Sequence, residues 1–315
     1  MGLLDALKGL FGRKPAGNIY RPGPQRAAGR LDPNELARRL GLDVAQLENV
    51  PIRYHRFTVP KRRGGTRELA SPEPALKELQ RRILRRLLPR LKAHPAAHGF
   101  ERGQSIVTNA LPHTGKAIVV RMDIRDFFPR TRDKRVRKYF QGIGWNRAAA
   151  KLLTRLCTLD GGLPQGAPTS PRLSNLVNGR LDARLSRLAA RLEADYTRYA
   201  DDITFSFAQD ARNAAAMAIA ATGHIVSDFG YRLHTGKKLR IWRRHDRQMV
   251  TGLIVNDRVA LPRRTRRKLR AAAHHVATGR PATLSAAQLD GWRALELMIA
   301  RQSGQAPAAG AGAAS

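Results

Sequence analysis

The sequence predicts an α+β fold in which an antiparallel sheet packs on helices, and three observations carry that prediction. The run 117–124 holds Ile118, Val119, Val120, Met122 and Ile124, short and branched enough for a buried strand. The runs 196–200 and 203–207 read as two further strands separated only by Asp201-Asp202, which places both carboxylates in a tight hairpin turn. Leu76, Leu79, Ile83, Leu87 and Leu91 recur at three- and four-residue steps, the stripe of a long amphipathic helix whose other face carries arginines.

The remaining elements follow in order. Residues 3–11 put Leu3, Leu4, Leu7, Leu10 and Phe11 on one helical face, after which Gly, Pro and Arg dominate up to Arg30 as a flexible connection. Asp32-Pro33-Asn34-Glu35 has the grammar of a helix start, with Asp as cap, Pro in the first turn and Glu reaching back, and a short helix runs to Leu40. Residues 51–70 form a hairpin with a basic, glycine-bent tip, Lys61-Arg62-Arg63-Gly64-Gly65. The long helix and the strand 117–124 come next, the latter ending at Asp123 with Asp126 close behind. After the pair of strands around Asp201-Asp202, Gln248 to Val255 is another strand candidate. Arg263 to Arg301 is helical and basic, and the Ala/Gly tail beyond Gln305 is expected to be disordered.

Lysine and arginine total 58 against 24 aspartates and glutamates, a formal charge of +34. Such an excess implies a polyanionic partner, held through phosphates with steep salt dependence and little sequence preference. Charge alone is equally compatible with a membrane-facing or ribosomal-type basic protein. The single cysteine, Cys157, excludes an intramolecular disulfide or a zinc site of several thiolates and fits a reducing cytoplasm. No apolar run approaches the ~20 residues of a membrane span. Asp5 and Lys8 interrupt the N-terminal stretch too early for a secretory signal, and Met1-Gly2 lacks the hydroxyl residue at position 6 of a myristoylation signal, so no membrane role is expected.

Acidic residues are scarce, so a pair locked between two apolar strands needs a cause. Two carboxylates about 4 Å apart repel by roughly 4 kcal/mol at an effective dielectric near 20, unless a divalent cation neutralises them. Oxygen ligands without His or Cys companions point to Mg²⁺ or Mn²⁺. Two such ions about 3.5–4 Å apart would activate a hydroxyl and stabilise a leaving pyrophosphate in an in-line phosphoryl transfer. An isolated Asp-Asp, by contrast, is an ordinary solvated turn.

It is not isolated. Tyr199-Ala200-Asp201-Asp202 resembles the catalytic box of reverse transcriptases, and Met122-Asp123-Ile124-Arg125-Asp126-Phe127-Phe128 resembles that family's first catalytic strand. The resemblance implies a right-hand polymerase in which Asp123, Asp201 and Asp202 hold two Mg²⁺ ions, with Asp126 structural. Gly162 to Pro171 is similar to the family's loop and helix start beneath the template, which implies that Gln165 contacts the incoming deoxynucleoside triphosphate while Leu173, Leu176 and Leu181 pack beneath the site. Phe128 stands where the family sets a ring against the sugar and excludes a 2′-hydroxyl, with Phe127 the alternative ring. Lys61 and Arg67 match the residues that grip the triphosphate, and Arg62 and Arg63 equally fit template contact. Lys237 matches a lysine near the pyrophosphate, with Lys238 adjacent and His234 where the family usually has asparagine.

Two further motifs narrow the family. Asn109-Ala110-Leu111-Pro112-His113 and Val250-Thr251-Gly252 resemble signatures of bacterial retron reverse transcriptases. That implies RNA recognition through Asn109, His113, Val250, Thr251 and Gly252. The partners implied are a cognate structured non-coding RNA as template and primer, a DNA product and RNA–DNA hybrid, and an accompanying effector protein in antiphage defence. Priming from a guanosine 2′-hydroxyl would yield multicopy single-stranded DNA. The chain has no room for a ribonuclease H domain, so a host ribonuclease H would remove the template, and no His-Asn-His endonuclease signature is present.

The resulting plan is an amphipathic segment and linker at 1–30, fingers at 31–116 and 129–160, and a palm spanning 117–256 around that second fingers segment. A thumb at 257–301, with phosphate contacts from Arg263, Arg264, Arg266, Arg267, Lys268 and Arg270, precedes a tail at 302–315. Rival readings are an abortive-infection, diversity-generating or group II intron-like reverse transcriptase, or an idle RNA-binding scaffold.

Overall fold

The computed structural model describes residues 31–61, 64–210, 212–234 and 236–304, and the backbone but not the side chain of Lys237. The helix expected at 3–11 with its connection, Arg62 and Arg63, and the tail from Gln305 lie outside the described residues. The architecture is α+β, with antiparallel sheets among helices.

Helix α1 (Pro33–Leu40) starts from Asp32, whose carboxylate accepts the Glu35 N–H at 2.8 Å, and closes at Gly41 in the left-handed region. Glu35 does not reach back as expected; it pairs with Arg38 and Arg39 at 2.7 and 2.6 Å, because charged partners one turn ahead outcompete a backbone amide. After α2 (Val44–Asn49), strands β1 (Tyr54–Pro60) and β2 (Thr66–Pro72) form the expected hairpin, in register from Tyr54↔Pro72 to Pro60↔Thr66. Helix α3 (Pro74–Arg86) is shorter than its stripe predicts. Pro89 lacks the N–H that a further turn needs and its ring opposes the carbonyl four residues back, so Leu87 and Leu91 pack on the core from beyond the helix end.

The central sheet has the order β4-β5-β3-β6, all antiparallel, from β3 (Ile118–Asp123), β4 (Ala194–Tyr199), β5 (Asp202–Phe207) and β6 (Arg240–Arg243). One face buries Ile118, Val120, Met122, Ile203, Phe205 and Phe207 against α9 (Gly179–Arg191) and α10 (Arg212–Asp228). Period-two alternation sends Arg121, Asp123, Asp202 and Thr204 to the opposite face.

A second core joins α1, α2 and α3 to α6 (Asp133–Gly142), α7 (Arg147–Cys157) and α8 (Ser170–Val177), and Cys157 is buried in it as a free thiol pushed up to about 12 by burial. A third core gathers α4 (Ile106–Ala110), Val119 and the C-terminal helices α11 (Arg263–Ala277) and α12 (Ala286–Gln302). Gln302, assigned to the tail on sequence, completes the last turn of α12.

The segment 248–255 is not one strand. It folds into a minimal hairpin, β7 (Met249–Val250) and β8 (Leu253–Ile254), because Thr251 and Gly252 both take positive φ, +47° and +86°, as a two-residue turn of primed type requires. No helix among the described residues is long and apolar enough to cross a membrane.

Candidate active site

The site forms where β3 and β5 end side by side. Asp123, the last residue of β3, sits directly opposite Asp202, the first of β5, and Asp202 also pairs with Tyr199 of β4. The connecting turn is therefore Ala200-Asp201, one residue earlier than the sequence suggested. Ala200 takes φ +56°, the left-handed value demanded at the first position of so tight a connection. The Ile124 N–H donates to the Asp201 carbonyl at 2.9 Å, and the His234 N–H to that of Asp123 at 2.8 Å, so all three acidic residues are held by backbone as well as by register.

Their charge is offset by cations. Lys238 donates to both Asp123 oxygens at 2.9 and 3.1 Å, and His234 Nε2 lies 3.4 Å from the same carboxylate. Arg121, two residues before Asp123 on the same face, donates from Nε to Asp202 at 3.0 Å. Burial pushes the Asp202 carboxyl up to about 6, with Arg121 opposing and the charges of Asp201 and Asp123 adding to the rise. Asp201 is raised by the same two causes, burial first and then Asp123, against the pull of Lys238 and Arg67.

As they stand, no three acidic, histidine or cysteine side chains among the described residues are gathered closely enough to bind a metal ion, since Asp123 is turned to Lys238 and Asp202 to Arg121. The donor chemistry nevertheless fits: three carboxylates converge from adjacent backbone positions, and two of them are pushed toward the neutral form by burial first and by repulsion from their acidic neighbours second, a repulsion that a divalent cation would relieve. Asp126 stands apart, exposed at φ +51° with Arg125 at 3.4 Å.

The predicted nucleotide contacts come from several elements of the chain. Arg67 is exposed on β2 and near enough to act on Asp201, while Lys61 is exposed at the hairpin tip, its N–H bonded to the Gly65 carbonyl at 2.9 Å. Phe128, in the one-turn helix α5 (Phe127–Arg130), is the ring that remains half-open. Phe127 is buried, stacked on Tyr231 at 5.7 Å with the Arg198 guanidinium 5.4 Å from its centroid. The loop 162–169 is clamped at two places. A Cβ on Gly162 would lie 2.1 Å from the Pro129 carbonyl oxygen, and one on Gly166, at φ +121°, would lie 3.0 Å from that of Ala70. Gln165 is half-buried between them and accepts the Ala70 N–H at 2.8 Å, which joins this loop to β2. The side chain of Lys237 lies outside the described residues; the lysine seen at the carboxylates is Lys238.

The residues expected to recognise RNA divide into two groups. Asn109, His113 and Val250 are buried, which closes their side chains to direct RNA contact and corrects that expectation. His113 lies between Ser206 Oγ at 2.7 Å and Thr197 Oγ1 at 2.8 Å on the polar face of the sheet, and burial lowers it to about 3. Thr251, a β-branched residue at positive φ, donates to the Ile106 carbonyl at 2.9 Å, so the two signature motifs meet each other through the third core. Gly252 is exposed at the hairpin turn. Arg263, Arg264, Arg266, Arg267, Lys268 and Arg270 are exposed along α11. Of these, Arg264 and Lys268 line a cavity of about 940 Å³ that runs from Arg121 and Lys238 to Trp242 and Trp292, so basic and indole side chains continue from the carboxylates to the C-terminal helices.

Sequence reasoning missed Arg121 and the pair beneath the hairpin, Arg198 and Asp182. Both of the latter are fully buried and doubly hydrogen-bonded at 2.7 Å, and Arg198 also donates to the Ala200 carbonyl at 2.9 Å. A signal was present: Asp182 falls in the apolar stripe of α9 and Arg198 on the apolar face of β4, two opposite charges at core positions.

A family model described as reverse transcriptase (RNA-dependent DNA polymerase) matches residues 59–250. The retron Mx162 reverse transcriptase of Myxococcus xanthus is 38% identical over 286 residues, which cover 78% of this chain and 59% of that protein. The retron Mx65 reverse transcriptase of the same organism is 39% identical over 291 residues, 84% of this chain and 67% of that protein. The retron Ec86 reverse transcriptase of Escherichia coli is 33% identical over 274 residues, 84% and 82% respectively.

Proposed function

The chain belongs to the reverse transcriptases, among their retron members, and on that premise we propose that it copies RNA into DNA at Asp123, Asp201 and Asp202. The observation that carries the proposal is the direct pairing of Asp123 with Asp202 across two central strands, with Asp201 in the turn between β4 and β5. Reverse transcriptases use divalent metal ions. Here the three carboxylates would hold two Mg²⁺ ions, or Mn²⁺, which supply activation of the attacking hydroxyl and stabilisation of the leaving pyrophosphate.

The protein's own groups do the rest. Arg67 and Lys61 meet the triphosphate from the hairpin, Phe128 stands against the sugar, and Gln165 is held beneath the base by a loop that lies too close to Pro129 at Gly162 to admit any side chain there. Lys238, at the carboxylates, is the proton donor to the departing pyrophosphate. The basic cavity wall at Arg264 and Lys268 takes nucleic-acid phosphates.

The retron relatives support a finer reading. The RNA is a structured transcript encoded nearby, the primer a guanosine 2′-hydroxyl within it, and the product multicopy single-stranded DNA, with a host ribonuclease H removing template. Antiphage defence with an effector protein, in the cytoplasm, completes that reading.

Replacement of Asp201 and Asp202 by asparagine tests the chemistry: deoxynucleotide incorporation should vanish while RNA binding persists, and surviving incorporation would disprove the assignment. Nucleic acid co-purified from the host tests the finer reading. Short DNA joined to one RNA is expected, whereas cellular RNA of mixed sequence without DNA would remove the retron role.

A further inference from the structure

Phe100 combines three properties that seldom coincide. Its side chain is 45% exposed, its backbone sits at φ +64°, and its ring lies 6.1 Å from that of Phe128 and 6.3 Å from that of Tyr199. A left-handed backbone is a true outlier for a bulky residue and persists only where the surroundings impose it.

The surroundings here do. Asn175 Nδ2 donates to the Gly99 carbonyl at 2.5 Å and to Glu101 at 2.8 Å, Arg172 pairs with Glu101, and the His98 N–H donates to the Arg198 carbonyl at 2.9 Å. A Cβ on Gly99 would lie 2.9 Å from the Ala200 nitrogen, so the loop is pressed flat on the turn that carries Asp201. Polar groups thus hold a strained backbone that leaves an aromatic ring in the open beside Phe128 and Tyr199, the residue two before Asp201.

We propose that Phe100 is a stacking platform for a nucleobase of the nascent base pair, forming with Phe128 and Tyr199 an aromatic wall of the site. The inference rests on the polymerase reading above. An exposed ring offers its π-face to any base, so the contact is sequence-tolerant and suits an enzyme that must accept all four. The base comes either from the incoming triphosphate or from the template strand, which present the same chemistry.

The test uses Phe100→Asn, since asparagine adopts the left-handed backbone readily and removes the ring. Phe100→Leu keeps bulk without aromaticity, and Phe100→Trp keeps a ring. With primed RNA templates, one arm measures KM for each deoxynucleotide and the other compares Kd for templates with and without a single-stranded overhang. Loss of the ring should weaken one of the two by about 5- to 100-fold for all four bases, with Phe100→Trp within about threefold of the unaltered protein. A rise in KM assigns the incoming base, and a rise in Kd confined to overhanging templates assigns the template base. An active unaltered enzyme with both quantities unchanged in Asn and Leu variants overturns the proposal alone; an inactive one overturns the polymerase reading and this inference with it.

Discussion

Arg198 and Asp182 face each other with no exposure on either side chain, two hydrogen bonds at 2.7 Å between them, directly under the Ala200 carbonyl. Removing one member of such a pair leaves an uncompensated buried charge. Asp182→Ala should therefore lower unfolding free energy by about 3–5 kcal/mol, while the paired exchange Asp182→Leu with Arg198→Met recovers most of it. Urea unfolding midpoints decide this, and equal losses in single and double variants would refute it.

The lysine at the carboxylates acts on the chemical step rather than on binding. Lys238→Ala should lower kcat by about 100-fold or more with deoxynucleotide KM within about threefold, the pattern of an interaction made in the transition state. Steady-state kinetics on a primed RNA template separate the two constants. A change in KM alone would recast Lys238 as a triphosphate-binding group.

Glycines at two places predict opposite signs. Gly162→Ala drives a methyl into the Pro129 carbonyl, and the loop bearing Gln165 must move; the loss should be about 3 kcal/mol or more, with incorporation impaired. Gly223→Ala, inside α10 with nothing within 4 Å of the added carbon, should gain about 0.5–1 kcal/mol. Thermal unfolding of both variants gives the comparison.

Acid should destabilise the fold through His113. Its pKa falls from 6.5 to about 3 on burial, so the unfolded chain binds the proton first. Stability is whole above about pH 6.5 and is lost as pH falls toward 3, by on the order of 5 kcal/mol once both states are protonated. His94 and His98, also lowered by burial, act in the same direction. In His113→Gln the decline of urea midpoint between these pH values should be shallower, and an identical decline would remove His113 as its source.

Salt dependence probes the basic wall. Replacing Arg264 and Lys268 by glutamine should weaken RNA binding uniformly across sequences and reduce the slope of log K against log salt by about 2. An unchanged slope would place the phosphates elsewhere.

How much of this was legible depends on distance along the chain. The hairpin of β1 and β2, the start of α1 at Asp32 and the strand ending at Asp123 were readable because capping and period-two patterns are local. The turn was misplaced by one residue, since Ala200 looks like strand until pairing puts Asp202 opposite both Tyr199 and Asp123. Asn109 and His113 were expected to recognise RNA because their motif resembles a retron signature, yet they are buried in the fold.

The order of residues by itself determined three of the four central strands and which faces their side chains take, because backbone alternation and turn chemistry act between neighbours; Asp123, Asp201 and Asp202 were singled out by resemblance to a known family, and β6 (Arg240–Arg243) carried no local signal. Only the tertiary structure decided that Lys238 meets Asp123, that Asp182 underlies Arg198 and that Phe100 stands beside Phe128. Those partners are far apart in the chain, and the burial of apolar faces against one another brings them together; local spacing marks each face but not which face it meets.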